Sequence, residues 1–128
     1  MSFSYFSKWS DFPEVEYLPG IKRHTITGEK VTVTKVRYAP GTVIPDHKHE
    51  AEQITIIVQG RMEVSVEGMT QDVGPGDVVV VPSWTVHSLR STSPEEVVFF
   101  EAFHPIRLDY LVGFVGKDVR DEIKFNQK

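Results

Sequence analysis

The sequence predicts an all-β fold, a sandwich or barrel of antiparallel strands, and two observations predict it. Period-2 alternation and short apolar runs dominate the chain, and turn-forming residues stand between them. The expected strands, in order, are Thr32 to Tyr38, Gln53 to Gln59, Arg61 to Val66, Gln71 to Val73, Asp77 to Val81, Val86 to Arg90 and Val97 to Phe103. Their separators are Pro40-Gly41, Gly60, Glu67-Gly68, Gly74-Pro75-Gly76 and Ser91 to Pro94, where proline presets φ and glycine tolerates positive φ. Short strands at this spacing suit a closed or two-layered β architecture.

Two of these strands carry an extra demand. Ile54 to Val58 and Val78 to Val81 are apolar on both faces, so both faces need cover. A subunit interface or the N-terminal segment is expected to supply the outer one. In that segment Phe3, Phe6, Trp9 and Phe12 recur every third residue, which predicts an irregular helical turn or a strap over a sheet face. At the other end Leu111 to Gly116 is apolar but broken by glycine, and Lys117 to Lys128 is highly charged; a short helix or loose tail is expected there.

A chain of 128 residues fits one domain, 1–128, with the barrel core expected over about 30–111. The formal charge of -4 and pI near 5.7 argue against a nucleic-acid surface, and no run approaches the length that crosses a bilayer. The first residues lack a basic start followed by a continuous apolar segment, so no secretory leader is expected and a reducing cytoplasm is the default. There are no cysteines. Metal donors are therefore limited to imidazole, carboxylate and amide oxygen.

Those donors cluster. His47 and His49, spaced i, i+2, share one face of an extended segment because strand side chains alternate. Gln53 opens the next strand, and His87 follows another apolar strand, which makes a four-ligand site for a divalent metal. Gln53 also suits a hydrogen-bonding role behind the ligands. His24 and His104 are single histidines and read as surface or core residues.

The spacing resembles the two sequence motifs of the cupins. Gly41, five residues, His47, one residue, His49, three residues, Gln53, six residues, Gly60 is similar to the first motif, with Gln53 at the usual glutamate. Gly76, five residues, Pro82, one residue, Trp84, two residues, His87, three residues, Ser91 is similar to the second, with Trp84 and Ser91 at the usual glycine and asparagine. The resemblance implies a double-stranded β-helix, or jelly-roll, barrel with one divalent transition metal (zinc, nickel, manganese or iron) held by His47, His49, Gln53 and His87. With a neutral amide in place of a carboxylate, the ion keeps its full charge. The site is then a stronger Lewis acid and attracts a small anionic substrate.

A second constellation follows in Val97 to Leu111. By alternation Phe99, Glu101 and Phe103 share one face, and a carboxylate among phenylalanines is out of place unless that face holds polar chemistry. Pro105 ends the strand, and Arg107 either turns back over the barrel mouth or forms a rim ion pair with Glu101. This segment resembles that of KdgF-type proteins of pectin and alginate breakdown. The resemblance implies Glu101 and Arg107 as catalytic residues and Phe103 as a pocket residue in ring opening of an unsaturated uronate, with Glu101 one methylene longer than the family's aspartate. Phe99 is expected to line the same pocket, and Tyr38 and Trp84 either line its mouth or serve packing. Other expectations remain open: a dioxygenase, a cyclase or isomerase acting on another acidic or enolisable compound, or a non-catalytic binding module. A homodimer is expected from the doubly apolar strands.

Overall fold

The computed structural model describes residues 5–110. Ten strands form there: β1 (Val15–Leu18), β2 (Ile21–Thr27), β3 (Thr32–Tyr38), β4 (Val43–His47), β5 (Glu52–Gln59), β6 (Met62–Val66), β7 (Met69–Val73), β8 (Val78–Val81), β9 (His87–Ser91) and β10 (Val97–His104). They build two antiparallel sheets, one in the order β1-β2-β3-β10-β5-β8 and one in the order β4-β9-β6-β7. The jelly-roll expectation holds. The sheet starts at Val15, earlier than the expected core at about 30, because β1 and β2 extend its edge. The C-terminal segment Leu111 to Lys128 and Phe3 lie outside the described residues.

Register explains where the core stops and the site begins. Side chains of β3, β5 and β10 alternate cleanly, with Thr32, Thr34, Val36 and Tyr38, then Gln53, Thr55 and Ile57, then Val97, Phe99, Glu101 and Phe103 facing in. Val97 stands beside Tyr38, and Phe99 beside Val36 and Ile57. Those inward layers are apolar and join Tyr17, Ile21, Ile44, Met62, Val64, Val73 and Leu89 in one cluster. The next layer is polar, with Glu101 between Thr34 and Thr55, and the last sets Phe103 between Thr32 and Gln53. The barrel is therefore an apolar plug at one end and a polar cup at the other.

The N-terminal segment lies on the outer face of the larger sheet, as a strap would, but over β10 and β3 rather than β5 and β8. Trp9, in a turn of 3-10 helix over Trp9–Asp11, packs on Phe100 of β10 with ring centroids 5.9 Å apart, while Phe6 is exposed. Glu14 pairs with Arg37 at 2.7 Å and ties the segment to β3. The outward residues of β5 and β8 stay open: Ile54, Ile56, Val58, Val78 and Val80 are each 37–58% exposed within the chain. At the β5–β6 turn the backbone needs glycine. Gly60 has φ of +76°, and a Cβ there would lie 2.9 Å from the Glu96 carbonyl oxygen.

Candidate metal centre

Two strands and one loop bring the histidines together. His47 ends β4 and faces His87, the first residue of β9, across the antiparallel pair; His49 lies in the loop leading to β5. All three are buried, and one potential ligand atom from each lies within 4.8 Å of the others. Each ring is oriented by a local carbonyl: the Nδ1 atoms of His47, His49 and His87 lie 2.9, 2.8 and 2.8 Å from the oxygens of Pro45, Ala51 and Thr85. A carbonyl only accepts, so Nδ1–H must donate, and Nε2 is left with its lone pair. Burial, reinforced for His47 by His87 and for His49 by Arg107, lowers both pKa values to about 3. Burial also lowers that of His87. At neutral pH the rings are uncharged donors.

Gln53 joins this group from the other sheet. Its Nε2 donates to Glu101 Oε2 at 2.7 Å and to Thr55 Oγ1 at 2.9 Å, which turns Oε1 to within 3.1 Å of His49 Nε2. Reversing the amide would set its oxygen against the carboxylate. Two acceptors thus face each other, and buried His87 Nε2 has no hydrogen-bond partner among the described residues. Lone pairs converging in a buried site are costly unless a cation joins them. The donor set fits a divalent metal, and imidazole with amide oxygen does not select which.

The acid and the cations stand beside it. Glu101 is 7% exposed, and burial raises its pKa to about 7 against the opposing pull of Arg107 and then Arg23. Arg107, expected over the mouth, is buried rather than on the rim and lies over the Phe103 ring at 5.1 Å. Its charge is met by Asp109 in a two-pronged pair at 3.0 and 2.7 Å, so the carboxylate on Arg107 is Asp109 and not Glu101. Phe103 stands edge-on to His49 at 5.8 Å.

Not every expected pocket residue is at the site. Phe99 and Tyr38 pack edge to face at 4.8 Å within the apolar cluster, because alternation sets their face but register puts them deeper in the plug. Trp84 is 60% exposed, in a left-handed conformation with φ of +59°, and its N–H donates to the His49 carbonyl at 2.8 Å. Its backbone braces a ligand loop while its ring points to solvent. His24 bonds the Phe12 carbonyl and His104 is exposed, so neither joins the cluster. The sequence reading missed Thr32, Thr34 and Thr55, the polar lining of the cup, and Arg23, Asp109 and Tyr110 around Arg107. Inward-facing threonines in Thr32-Val33-Thr34 were the available signal.

The cupin domain model matches residues 34–103, which include all three histidines. This chain is a cupin. It is 32% identical over 101 residues to the pectin degradation protein KdgF of Dickeya dadantii, covering 77% of this chain and 91% of that protein. The structure of KdgF from Halomonas sp. superposes with a TM-score of 0.76 at 30% identity, covering 86% of this chain and all of that one. The cupin is also 28% identical over 72 residues to a 5-nitrosalicylic acid 1,2-dioxygenase of Bradyrhizobium sp., of which it spans 35%. Among the described residues no helix is long and apolar enough to cross a membrane.

Proposed function

We propose that this cupin opens the ring of a small 4,5-unsaturated uronate, giving the open-chain keto acid, with one divalent metal held by His47, His49, His87 and Gln53. The observation that carries the reading is the Gln53 amide, whose two ends touch the histidine cluster and Glu101 at 3.1 and 2.7 Å. A proton-transfer group and a metal centre are thereby joined through one side chain. Similarity to the KdgF proteins supports the choice of substrate.

A bound divalent metal supplies electrostatic stabilisation of negative charge developing on a substrate oxygen. Arg107, pre-oriented by Asp109, pairs with the substrate carboxylate. Glu101, with a pKa of about 7, takes the proton of the anomeric hydroxyl as the bond from that carbon to the ring oxygen breaks. The electron pair passes to the ring oxygen as an enolate, and Glu101 returns the proton to the alkene carbon that does not bear this oxygen, so that the oxygen-bearing carbon becomes the ketone. No atom is gained or lost. Phe103 supplies an apolar wall that excludes water from this exchange. The active form is a homodimer in a reducing cytoplasm.

The test is metal analysis of the purified chain, followed by incubation with unsaturated galacturonate. Expected are a near-stoichiometric divalent metal and loss of the conjugated alkene absorbance with no change in product mass. A chain that binds no divalent metal, or that leaves the alkene intact while Glu101→Gln behaves identically, overturns the proposal. Oxygen consumption with iron would favour the dioxygenase reading that the Bradyrhizobium relative suggests.

A further inference from the structure

Arg23 is a buried arginine on β2 that the reaction above does not use. It is 7% exposed and faces into the barrel, and among the described residues no carboxylate lies within ion-pair distance of it. What it touches instead are two aromatic rings: its guanidinium carbon lies 4.2 Å from the Tyr17 ring centre and 3.7 Å from that of Tyr110. The Arg107 guanidinium lies over the same Tyr110 ring at 4.5 Å, and Phe103 packs against that ring at 5.1–5.2 Å from Arg107 and Tyr110. Phe103 in turn meets His49. A chain of alternating rings and cations thus runs from β1 to a histidine of the metal centre.

Two guanidinium ions near one ring repel each other, and burying an arginine without a carboxylate costs free energy. The arrangement needs compensation. Stacking on the electron-rich faces of two tyrosines supplies part of it for Arg23, and Asp109 supplies it for Arg107. Tyr110 is neutral at physiological pH, and burial pushes its pKa further up, to about 12. Tyr110 ends the short 3-10 turn Leu108–Tyr110 that follows Arg107, and its N–H donates to the Arg107 carbonyl at 3.0 Å. Fixing the Tyr110 ring therefore fixes the turn that carries Asp109 and is bonded to the Arg107 carbonyl.

We infer that Arg23 is a positioning residue: it anchors the Tyr110 ring to β2, and that shared ring holds the buried Arg107 guanidinium over Phe103, the ring that meets His49. The kinetic part of this inference rests on the proposed uronate reaction; the structural part does not. Because Arg107 captures the substrate carboxylate, loosening it raises KM more than it lowers kcat.

The experiment labels the full chain with 15N-arginine and compares wild type, Arg23→Gln and Tyr110→Leu, with the Arg107 Nε–H resonance assigned by its loss in Arg107→Lys. In both variants that proton is expected to exchange with water roughly tenfold faster, as its bond to Asp109 opens more often. In turnover of unsaturated galacturonate, Arg23→Gln is expected to raise KM about tenfold with kcat within about threefold, and to add nothing in an Arg107→Ala background. An unchanged Arg107 Nε–H in both variants overturns the inference, as do additive penalties in the double variant. Should Arg23→Gln fail to fold, Tyr110→Leu decides alone, since it removes the shared ring without touching β2. A wild type without turnover would sink the uronate reading and leave the resonance measurement to judge Arg23.

Discussion

At the scale of single residues, Glu101 carries the largest conflict between burial and charge. Its pKa is raised from 4.5 to about 7, first by desolvation, so the folded protein binds this proton more tightly than the unfolded chain does. The stability that follows is fully present below the unfolded value and is lost as pH rises through about 7. The buried histidines act in the opposite sense: with pKa values lowered to about 3 for His47 and His49, their contribution is present above the unfolded value and lost on acidification. Comparing Glu101→Gln with wild type cancels the histidines and isolates the carboxylate. In metal-free protein the substitution is expected to be near neutral at pH 4 and to stabilise by up to about 3 kcal/mol at pH 8. Urea unfolding across that range measures it, and a pH-independent difference would mean that Glu101 is not desolvated as the structure has it.

At the scale of elements, the strands that the sequence revealed and those it hid differ for physical reasons. β3, β5 and β10 alternate strictly, so they were legible to within a residue or so. β4 was hidden by Pro45, which argues against a strand; it is tolerated because β4 is an edge strand of its sheet and the ladder shifts register there. β2 was hidden by Lys22-Arg23-His24, a polar run whose middle member faces inward onto two tyrosines. The histidines and Glu101 were legible because face follows from alternation, whereas depth along the barrel depends on register between distant strands. That is why Phe99 and Tyr38 fall in the plug. The loop before β9 shows a local rule broken at a functional position: Trp84 adopts φ of +59°, where a residue with a Cβ is strained. Trp84→Gly is expected to stabilise the fold by about 1 kcal/mol, since the exposed ring gives up little packing. Thermal denaturation would register it as a higher Tm with unchanged metal content. A lower Tm would show that the indole packs as more than its exposure suggests.

At the scale of the whole molecule, the cup draws its polar side chains from both sheets, with His47 and His87 on β4 and β9 and Gln53 on β5, so whatever closes the barrel also sets the site. The outer face of β5 and β8 bears on that closure. Ile54 stands beside Val80 and Ile56 beside Val78 across the two strands, and with Val58 they form a flat apolar surface at the edge of the larger sheet. An exposed apolar edge strand invites pairing or aggregation unless it is covered or charged, and β8 has neither proline nor charge within Val78–Val81. The N-terminal segment packs on β10 instead, at Phe100, so the proposed homodimer would use this open surface as its interface. A two-fold pairing would place the same patch on both sides, which suits a surface of uniform aliphatic character. Ile56→Lys is expected to convert a dimer to a monomer, because two buried ammonium groups would meet across the axis without partners. His47, His49 and His87 lie away from that face, so metal content should persist. Sedimentation velocity of wild type and variant decides the matter: a wild type that is monomeric at micromolar concentration, or a variant that remains dimeric, would place the interface elsewhere.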